Sequence, residues 1–388
     1  MNVFLRFRSA APAATVHRAI IVLAVVLGVF ATVGWTAARC DPQERTAWES
    51  ALADWNHDRL PAPDSAPQTL SRWFAEVGTA RGQLLADRHP LVVGNLDGAP
   101  PALRYRANRR AVARELALEE RQLRELALTP QGREQRHERI AVLRSLQNPA
   151  RHILAFDPAG TGQVAEVHGD LARAERVAVV VPGVDTKLSN FRRFAADGKP
   201  GYVAPAGMAD ALYDAVREAA PGRRTAVIAW ADYAAPAGLG VDAATGVPAE
   251  AGAARLARFA SALPGRPRTS LFCHSYGSVV CGVAAARLPA SVTDITVAGS
   301  PGMRADDAAA LHSTARIWAT RAVGDWISGV PHVEVAGLGH GADPVAAEFG
   351  AHVFPAGTAR GHTEYFRPGT RSLRTFAAIA AGEALQRA

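Results

Sequence analysis

The residues best suited to chemistry in this chain lie around Ser275. The run Cys273-His274-Ser275-Tyr276-Gly277-Ser278 follows an apolar segment typical of a buried strand and precedes a helical pattern. A sharp turn from strand to helix holds its central side chain clear of the backbone, and the free N–H groups that begin the helix point toward the group it attacks. The residues two before and two after the serine must be small, which Gly277 satisfies and Cys273 approximates in place of the usual glycine. We therefore predict Ser275 as a nucleophile.

A serine nucleophile needs a general base, and His362 is the histidine best placed to supply one. It follows the predicted strand Ala351–Phe354 and precedes the C-terminal helical pattern, as the chain order serine, acid, histidine requires. His340 and His352 are the alternatives, of which His352 lies within the strand. His274, next to the nucleophile, is expected to point into the fold as a packing residue.

The acid that orients the base should lie in a loop after a strand. Asp325 follows the predicted strand Ile317–Thr320 and is the first choice. Asp343 is the alternative acid. Because Pro344 follows it, Asp343 also fits the N-cap of a short helix.

An oxyanion hole needs two backbone donors. The N–H of Tyr276, directly after the nucleophile, is expected to be one. The other should come from the loop after the first inner strand, where Pro182 has no N–H, so Val184 or Asp185 is the expected donor. The alternative role of Asp185 is to cap that loop.

The substrate pocket is expected beside the loop between Trp230 and Glu250, at the carboxyl end of a strand, where ligands bind in such sheets. Tyr233 in this loop and His340 in a glycine-rich stretch are the candidate pocket residues. The sequence has no dinucleotide, phosphate-loop or metal-ligand motif, so we expect neither cofactor nor metal. Of three cysteines, Cys273 and Cys281 are the one pair expected to be able to form a disulfide, and the sequence leaves open whether they do.

The elements that position these residues begin after Pro149, where short apolar runs alternate with helical stretches. This alternation predicts a mostly parallel sheet flanked by helices, over residues 151–388, and a helical region over 41–150. The first two strands, Ile153–Phe156 and Gln163–Val167, should form a hairpin. Buried strands are predicted at Arg176–Val181, Thr225–Trp230, Thr269–Cys273, Ile295–Ala298, Ile317–Thr320 and Ala351–Phe354. Helices are predicted at Glu44–Trp55, Gln68–Leu85, Asn108–Leu128, Gln131–Leu146, Met208–Ala219, Ala249–Ala262, Tyr276–Arg287, Ala305–His312 and Ser372–Gln386, with a turn-rich loop at Gly94–Pro101.

The N-terminus carries a basic stretch, residues 1–18, followed by an uncharged segment, residues 19–38. Basic residues before an apolar run orient the N-terminus toward the cytoplasm. The run just reaches spanning length, while the small residues Thr36 to Ala38 equally fit a cleavage site. We expect either a membrane anchor with the following domain outside the cytoplasm, or a cleaved signal and a secreted protein.

The formal net charge is +7, and the stretch from Pro101 to Arg151 holds twelve Arg and six Glu. This pattern indicates a solvated helical face, with contact to an anionic membrane as the alternative. It lies in no recognisable nucleic-acid module, so nucleic-acid binding is not expected.

Several motifs together resemble the actinobacterial family of uncharacterised α/β hydrolases. They are Val-Pro-Gly-Val-Asp (181–185), Cys-His-Ser-Tyr-Gly-Ser (273–278), Ala-Gly-Ser-Pro-Gly (298–302), His-Gly-Ala-Asp-Pro (340–344), Phe-Gly-Ala (349–351) and Gly-His-Thr-Glu-Tyr-Phe (361–366), with Val-Gly-Asn-Leu-Asp-Gly (93–98), Ala-Asn-Arg (107–109) and Leu-Ala-Phe-Asp-Pro (154–158) upstream. The resemblance covers roughly residues 90–370. It implies an α/β-hydrolase fold and a serine triad, and it implies no particular substrate.

Taken together, the residues predict a serine hydrolase that acts on a small-molecule or lipid-like acyl substrate outside the cytoplasm. Two alternatives stay open at this point. One is a binding or scaffold protein that kept the fold without turnover, and the other is a peptidase that uses the same triad.

Overall fold

A central sheet of eight strands organises the protein, whose computed structural model describes residues 47–193, 198, 200–335 and 337–383. The strands of the described residues are β1 (His152–Asp157), β2 (Gln163–His168), β3 (Arg176–Val181), β4 (Thr225–Ala231), β5 (Arg268–His274), β6 (Val292–Ala298), β7 (Arg316–Thr320), β8 (Glu334–Val335), β9 (Leu338–Gly339) and β10 (His352–Val353). The order in the large sheet is β1-β2-β4-β3-β5-β6-β7-β10, and β8 pairs with β9 in a separate hairpin. β2 runs antiparallel to both its neighbours, and the other neighbouring strands are parallel.

Helices lie beside the sheet and ahead of it in the chain. Those of the described residues are α1 (Ala47–His57), α2 (Pro67–Arg88, interrupted at Gly78), α3 (Pro90–Asn95), α4 (Pro101–Glu125), α5 (Pro130–Leu146), α6 (Pro205–Ala219), α7 (Val241–Ala244), α8 (Val247–Ser261), α9 (Gly277–Ala284) and α10 (Arg371–Ala381). Short 3-10 turns occupy Leu188–Asn190, Gly201–Val203, Ala285–Arg287, Ala309–Leu311, Trp326–Gly329 and Ala347–Phe349.

The sheet is apolar on both faces, which is why its strands carry nearly continuous runs of valine, isoleucine and alanine. Alternate residues of each strand therefore join different apolar layers. Val179 of β3 packs in the layer that contains Phe259 of α8 and Val280 of α9. Its neighbour Val180 packs in the layer that contains Leu212 of α6 and Phe376 of α10. The sheet is thus covered by helices on both sides.

The helical region packs over the edge strand β1, and its side chains hydrogen-bond the backbone of that strand. Asn95 bonds both the N–H and the carbonyl of Phe156, at 2.8 and 2.7 Å. Arg104 donates to the carbonyl of Leu154 at 2.9 Å, and Asn108 to that of Ile153 at 3.0 Å. An exposed edge strand would offer these groups to other chains, so α3 and α4 close the sheet at this edge.

A buried ion cluster joins the helical region to the helix α8. The carboxylate of Asp97, fully buried, lies 3.2 Å from Nη1 of Arg104 and 3.3 Å from Nε of Arg258, and it pairs with Arg255. Arg255 also reaches Asp232 at 2.6 Å, just after β4. The helical region and the sheet belong to one compact unit, and these pairs compensate the charges at their junction.

Most strand and helix predictions are confirmed within a few residues, including the hairpin of β1 and β2. The α-helix predicted at Ala305–His312 is wrong, because most of this segment bonds to other loops of the protein and only the 3-10 turn Ala309–Leu311 is helical. Its Ala308 N–H donates to Phe349, and Ala305 bridges Gly341. The loop predicted at Gly94–Pro101 begins too early, since α3 continues to Asn95.

The N-terminal stretches 1–18 and 19–38 lie outside the described residues. Of the helices that are described, none has the length and apolar character to cross a membrane.

The ion cluster yields a test of stability. We expect Asp97→Asn to lower the free energy of unfolding by about 3–5 kcal/mol, because it leaves the buried guanidinium of Arg104 without its counter-charge. The measurement is urea unfolding. The control is Asp87→Asn, whose carboxylate pairs with the exposed Arg106 and Arg110 and should cost at most about 1 kcal/mol. Equal losses in the two variants would contradict a special role for the buried cluster.

Candidate active site

The turn between β5 and α9 holds Ser275 in a conformation that side chains rarely adopt. Its φ is 55°, in the left-handed region, and its N–H donates to the carbonyl of Ala298 at 3.0 Å. A Cβ placed on Gly277 would lie 2.3 Å from the carbonyl oxygen of Val181, so only glycine fits where helix and strand meet. The turn has the geometry that its sequence predicts.

A disulfide braces this turn. Cys273 at the end of β5 is bonded to Cys281 in α9, eight residues later, and both side chains are buried. The pairing that the sequence left open is therefore present. The bond joins the strand before Ser275 to the helix after it, so the turn is held from both sides.

Three side chains predicted from different parts of the chain meet at Ser275. The hydroxyl of Ser275 donates to Nε2 of His362 at 2.8 Å, and Nδ1 of His362 donates to Oδ1 of Asp325 at 2.8 Å. His362 lies in the loop after β10, and Asp325 lies after β7. The structure thus brings together the hydroxyl, imidazole and carboxylate of a serine–histidine–aspartate arrangement.

Asp325 is fixed by two further donors. Tyr365 donates to its Oδ2 at 2.5 Å and accepts from the Ala322 N–H at 2.9 Å, and the Ile327 N–H donates to Oδ1 at 2.9 Å. Burial alone would raise the pKa of Asp325, but hydrogen bonds from His362, Tyr365 and Ile327 outweigh it and hold the pKa below its usual value. The carboxylate therefore stays ionised beside the imidazole.

Sequence reasoning missed Tyr365. It lies three residues after His362 in the run Gly-His-Thr-Glu-Tyr-Phe (361–366), and its ring is fully buried. A buried tyrosine hydroxyl needs a hydrogen-bond partner. The sequence shows the tyrosine but neither its burial nor its partner Asp325.

His274 has the packing role expected of it. Its Nε2 donates to the backbone carbonyl of His362 at 2.6 Å, and its ring lies against Tyr365. Burial, together with the neighbouring His362, lowers the pKa of His274 to about 3. The ring is therefore neutral and holds the loop that carries His362.

The loop after β3 lies directly against the serine. A Cβ on Gly183 would be 2.6 Å from Cβ of Ser275 and 3.1 Å from the backbone N of Tyr276. In the described part of the chain, neither the Tyr276 N–H nor the Val184 N–H has a hydrogen-bond partner. Both predicted donors therefore remain open beside the nucleophile.

The prediction of Asp185 as an oxyanion donor is not supported by its contacts. The N–H of Asp185 donates to the carbonyl of Pro236 at 2.9 Å, and its carboxylate accepts from the Gly238 N–H at 2.7 Å. The residue has a φ of 59°. Asp185 takes the alternative role considered for it, which is to cap the loop and tie it to the segment after β4.

Tyr233, expected as a pocket residue, lies behind the same loop instead. Its hydroxyl donates to the carbonyl of Pro182 at 2.7 Å, its ring stacks on Trp230, and the side chain is buried. A Cβ on Gly252 would meet the ring at 3.0 Å, so α8 approaches it closely. The tyrosine supports the loop from within the core and does not present its ring to a substrate.

The two remaining candidates also have defined positions. His340 is buried with its ring edge-on to Tyr276, at 5.6 Å between ring centres, and burial lowers its pKa to about 4. Asp343 pairs with Arg321 at 2.8 Å and accepts from the Val345 N–H at 3.1 Å. The capping alternative therefore describes Asp343, while Asp325 holds the imidazole.

Among the residues that the structure describes, no group of three or more His, Cys, Asp or Glu side chains is arranged to hold a metal ion.

Comparison with known proteins gives a family match over residues 157–335, described as alpha/beta hydrolase. The match includes Ser275 and Asp325 and ends before His362. Two uncharacterised proteins of Mycobacterium tuberculosis strains, Rv2079 and MT2140, are each 26% identical over 387 residues, covering 84% of this chain and 57% of the relative. The chain thus spans a little over half the length of the curated relatives it matches.

Solved structures that the comparison matches include the dienelactone hydrolase of Anabaena variabilis, 16% identical with a TM-score of 0.36 over 60% of this chain and 96% of that one. An α/β serine hydrolase without a lid from Xanthomonas campestris gives 16% identity and a TM-score of 0.36 over 60% and 94%. The family match over residues 157–335 agrees with the observed architecture, a mostly parallel eight-stranded sheet whose second strand is antiparallel and a strained serine turn after β5, so the chain has an α/β-hydrolase fold.

Proposed function

We propose that the protein is a serine hydrolase that cleaves acyl esters, with Ser275 as nucleophile, His362 as base and Asp325 as the acid that orients it. The proposal rests on the unbroken hydrogen-bond chain from the Ser275 hydroxyl through His362 to Asp325, at 2.8 Å in each step. The left-handed turn at Ser275 supports it, because such strain is kept where a side chain must be presented for reaction.

The reaction follows from these contacts. The Ser275 oxygen attacks the carbonyl carbon of the ester while its proton passes to Nε2 of His362. The imidazolium that forms is stabilised by the ionised Asp325. His362 then gives the proton to the leaving alcohol, and a serine ester remains. Water gives a proton to His362 as it attacks that ester, and His362 returns the proton to the departing Ser275 oxygen, which releases the acid and regenerates the free serine.

The negative oxygen of each tetrahedral intermediate needs donors that are already in place. The open N–H groups of Tyr276 and Val184 are the proposed pair. Gly183 contributes by having no side chain, since a methyl group there would crowd both the serine oxygen and the Tyr276 nitrogen.

The two alternatives predict different behaviour. A scaffold protein without turnover has no reason to keep a serine in a strained turn with its hydroxyl bonded to an imidazole. A peptidase would use the same three side chains, so amide substrates must be tested beside esters. The ester is favoured because an alcohol is a better leaving group than an amine.

For location, we propose that the hydrolase works outside the cytoplasm. The Cys273–Cys281 disulfide supports this, because disulfides persist in oxidising compartments. The basic stretch 1–18 and the uncharged segment 19–38 support it from the sequence.

The first prediction concerns the triad. We expect Ser275→Ala to remove labelling by a fluorophosphonate probe and nearly all ester hydrolysis, with folding retained. We expect Asp325→Asn to lower kcat by roughly 10⁴-fold, because the imidazole loses the partner that sets its tautomer. Gel fluorescence and steady-state rates on a soluble ester are the measurements.

Two controls accompany these variants. Ser261→Ala removes a hydroxyl that bonds only within its own helix and should label normally. Asp343→Asn should keep kcat within about tenfold, since its carboxylate pairs with Arg321 instead of His362. If Asp343→Asn abolished turnover and Asp325→Asn did not, the acid would be misassigned.

The second prediction concerns the loop that carries the Val184 amide. We expect Tyr233→Phe to lower kcat by about tenfold with little change in KM, because the Pro182 carbonyl loses its partner and the loop is less well placed in the transition state. Tyr105→Phe is the matched control, since the hydroxyl of this mostly buried tyrosine has no hydrogen-bond partner among the described residues. Identical kinetics for the two variants would argue against the support role.

The third prediction concerns location. We expect protease added to cells with a permeabilised outer envelope to digest the hydrolase while a cytosolic marker survives. An anchored chain should stay with membranes after a high-salt wash, because salt does not weaken apolar burial as it screens exposed charges. A cleaved chain should have a mature N-terminus near Arg39. Recovery of full-length soluble protein from the cytosol would exclude both forms.

A further inference from the structure

Exposed large apolar side chains concentrate on one part of the surface. Eleven such residues are found in the described part of the chain, and seven of them lie on three loops at the carboxyl ends of the parallel strands. Their exposures range from 43% to 68%. We call these seven the apolar rim: Leu239, Val241, Val247, Val323, Trp326, Val333 and Leu338.

The first loop of the apolar rim, which runs from the end of β4 to the first residue of α8, touches the turn at Ser275. The hydroxyl of Tyr276 donates to the carbonyl of Thr245 at 3.1 Å. The N–H of Gly238 donates to Asp185, which caps the loop holding the Val184 amide. The loop that carries three rim residues is therefore bonded to the side chain of Tyr276 and to the cap of the loop 182–184.

The second loop carries the acid and touches the base. The ring of Trp326, the residue after Asp325, lies 4.7 Å from that of His362. The carbonyl of Val323 accepts from the N–H of Gly361 at 3.1 Å. The rim residues here flank the histidine.

The third loop is the hairpin of β8 and β9, and it is joined to the first. Leu338 bridges Thr245 in an antiparallel pair. Arg304 pairs with Glu334 at 2.6 Å, and a Cβ on Gly246 would touch its guanidinium. The first and third loops thus form one continuous margin beside Tyr276.

The proposed nucleophile is buried, in contrast to the apolar rim. Ser275 is only 5% exposed, while the rim side chains project into solvent. Clustered apolar exposure of this kind marks a contact surface, because water around it is released when another apolar surface covers it. A tryptophan at the margin suits a boundary between an apolar and a wet phase.

The position of the apolar rim favours one occupant. A second copy of the chain or another protein seated on the loops that carry Asp325 and Thr245 would cover the surface around Ser275 and His362. A surface made of the substrate itself would instead present its esters to the serine as it covers the rim. We propose that the apolar rim binds the surface of aggregated acyl lipid, so that the substrates are water-insoluble esters taken from that surface. This inference rests on the proposed ester hydrolysis.

The test uses one ester in two physical states. Tributyrin is supplied to the full chain below and above its solubility limit, and the ratio of the two rates is measured for each variant. The rim variant is Leu239→Gln/Val247→Gln/Val333→Gln. The control is Leu84→Gln/Leu118→Gln/Leu126→Gln, three apolar residues of the helical region that are 40% to 68% exposed. All chains keep residues 1–46, so any contribution of that segment cancels.

We expect the wild-type rate to rise sharply above the solubility limit and the control to keep the same ratio. For the rim variant, the ratio of the rate above the solubility limit to the rate below it should be lower by about tenfold or more, because three apolar side chains no longer enter the lipid. A wild-type enzyme that hydrolyses dissolved tributyrin without any rise, or a rim variant with the ratio of the control, overturns the proposal while ester hydrolysis stands. A rim variant that changes the sedimentation mass of the protein makes the rim an interface between copies and also overturns it. Absence of both hydrolysis and fluorophosphonate labelling in the wild type is the separate failure of the proposed function.

Discussion

The close approach of the loop 182–184 to the turn at Ser275 is the constraint on which the site depends. Glycine is required on both sides of this contact, since a Cβ on Gly277 would strike the carbonyl of Val181 and one on Gly183 would strike Ser275. With both glycines in place, the loop 182–184 packs directly against Ser275 and the Tyr276 nitrogen, and the amides of Tyr276 and Val184 keep no backbone partner among the described residues. Interiors are too closely packed for such an arrangement to survive even one added carbon without movement.

The same loop is held from behind by a chain of polar contacts that reaches the helical region. Tyr233 bonds the carbonyl of Pro182, and the residue before it, Asp232, pairs with Arg255. Arg255 in turn pairs with Asp97, which lies just after α3. Buried charges of this kind are stable only as a complete set. The helical region is thus built into the support of the loops around Ser275, although none of its described residues bonds Ser275 or His362.

The sequence predicts the role of a site residue well when that role depends on residues nearby in the chain, and poorly when it depends on residues far away. The turn at Ser275 is local, because strand, small residues and helix lie within a dozen positions, and the sheet follows from the alternation of apolar runs. In contrast, the Asp185 N–H donates to Pro236, and Tyr233 is buried behind Pro182. In both cases the partner lies about 50 positions away in the chain. Such contacts leave no periodic pattern in the sequence. The sequence therefore predicts Tyr233 as a pocket residue, although it lies in the core.

The chain order of the catalytic groups has a consequence for how the protein is made. His362 comes from the last part of the described chain, and the loop that carries it is followed by α10, which packs against the sheet beside Phe272. Synthesis proceeds from the N-terminus, so the sheet strands and the Ser275 turn emerge first and the imidazole last. A partly synthesised chain therefore carries a serine without its base. Under the proposed mechanism, Ser275 gains its general base only after the segment around His362 has left the ribosome and folded onto the sheet.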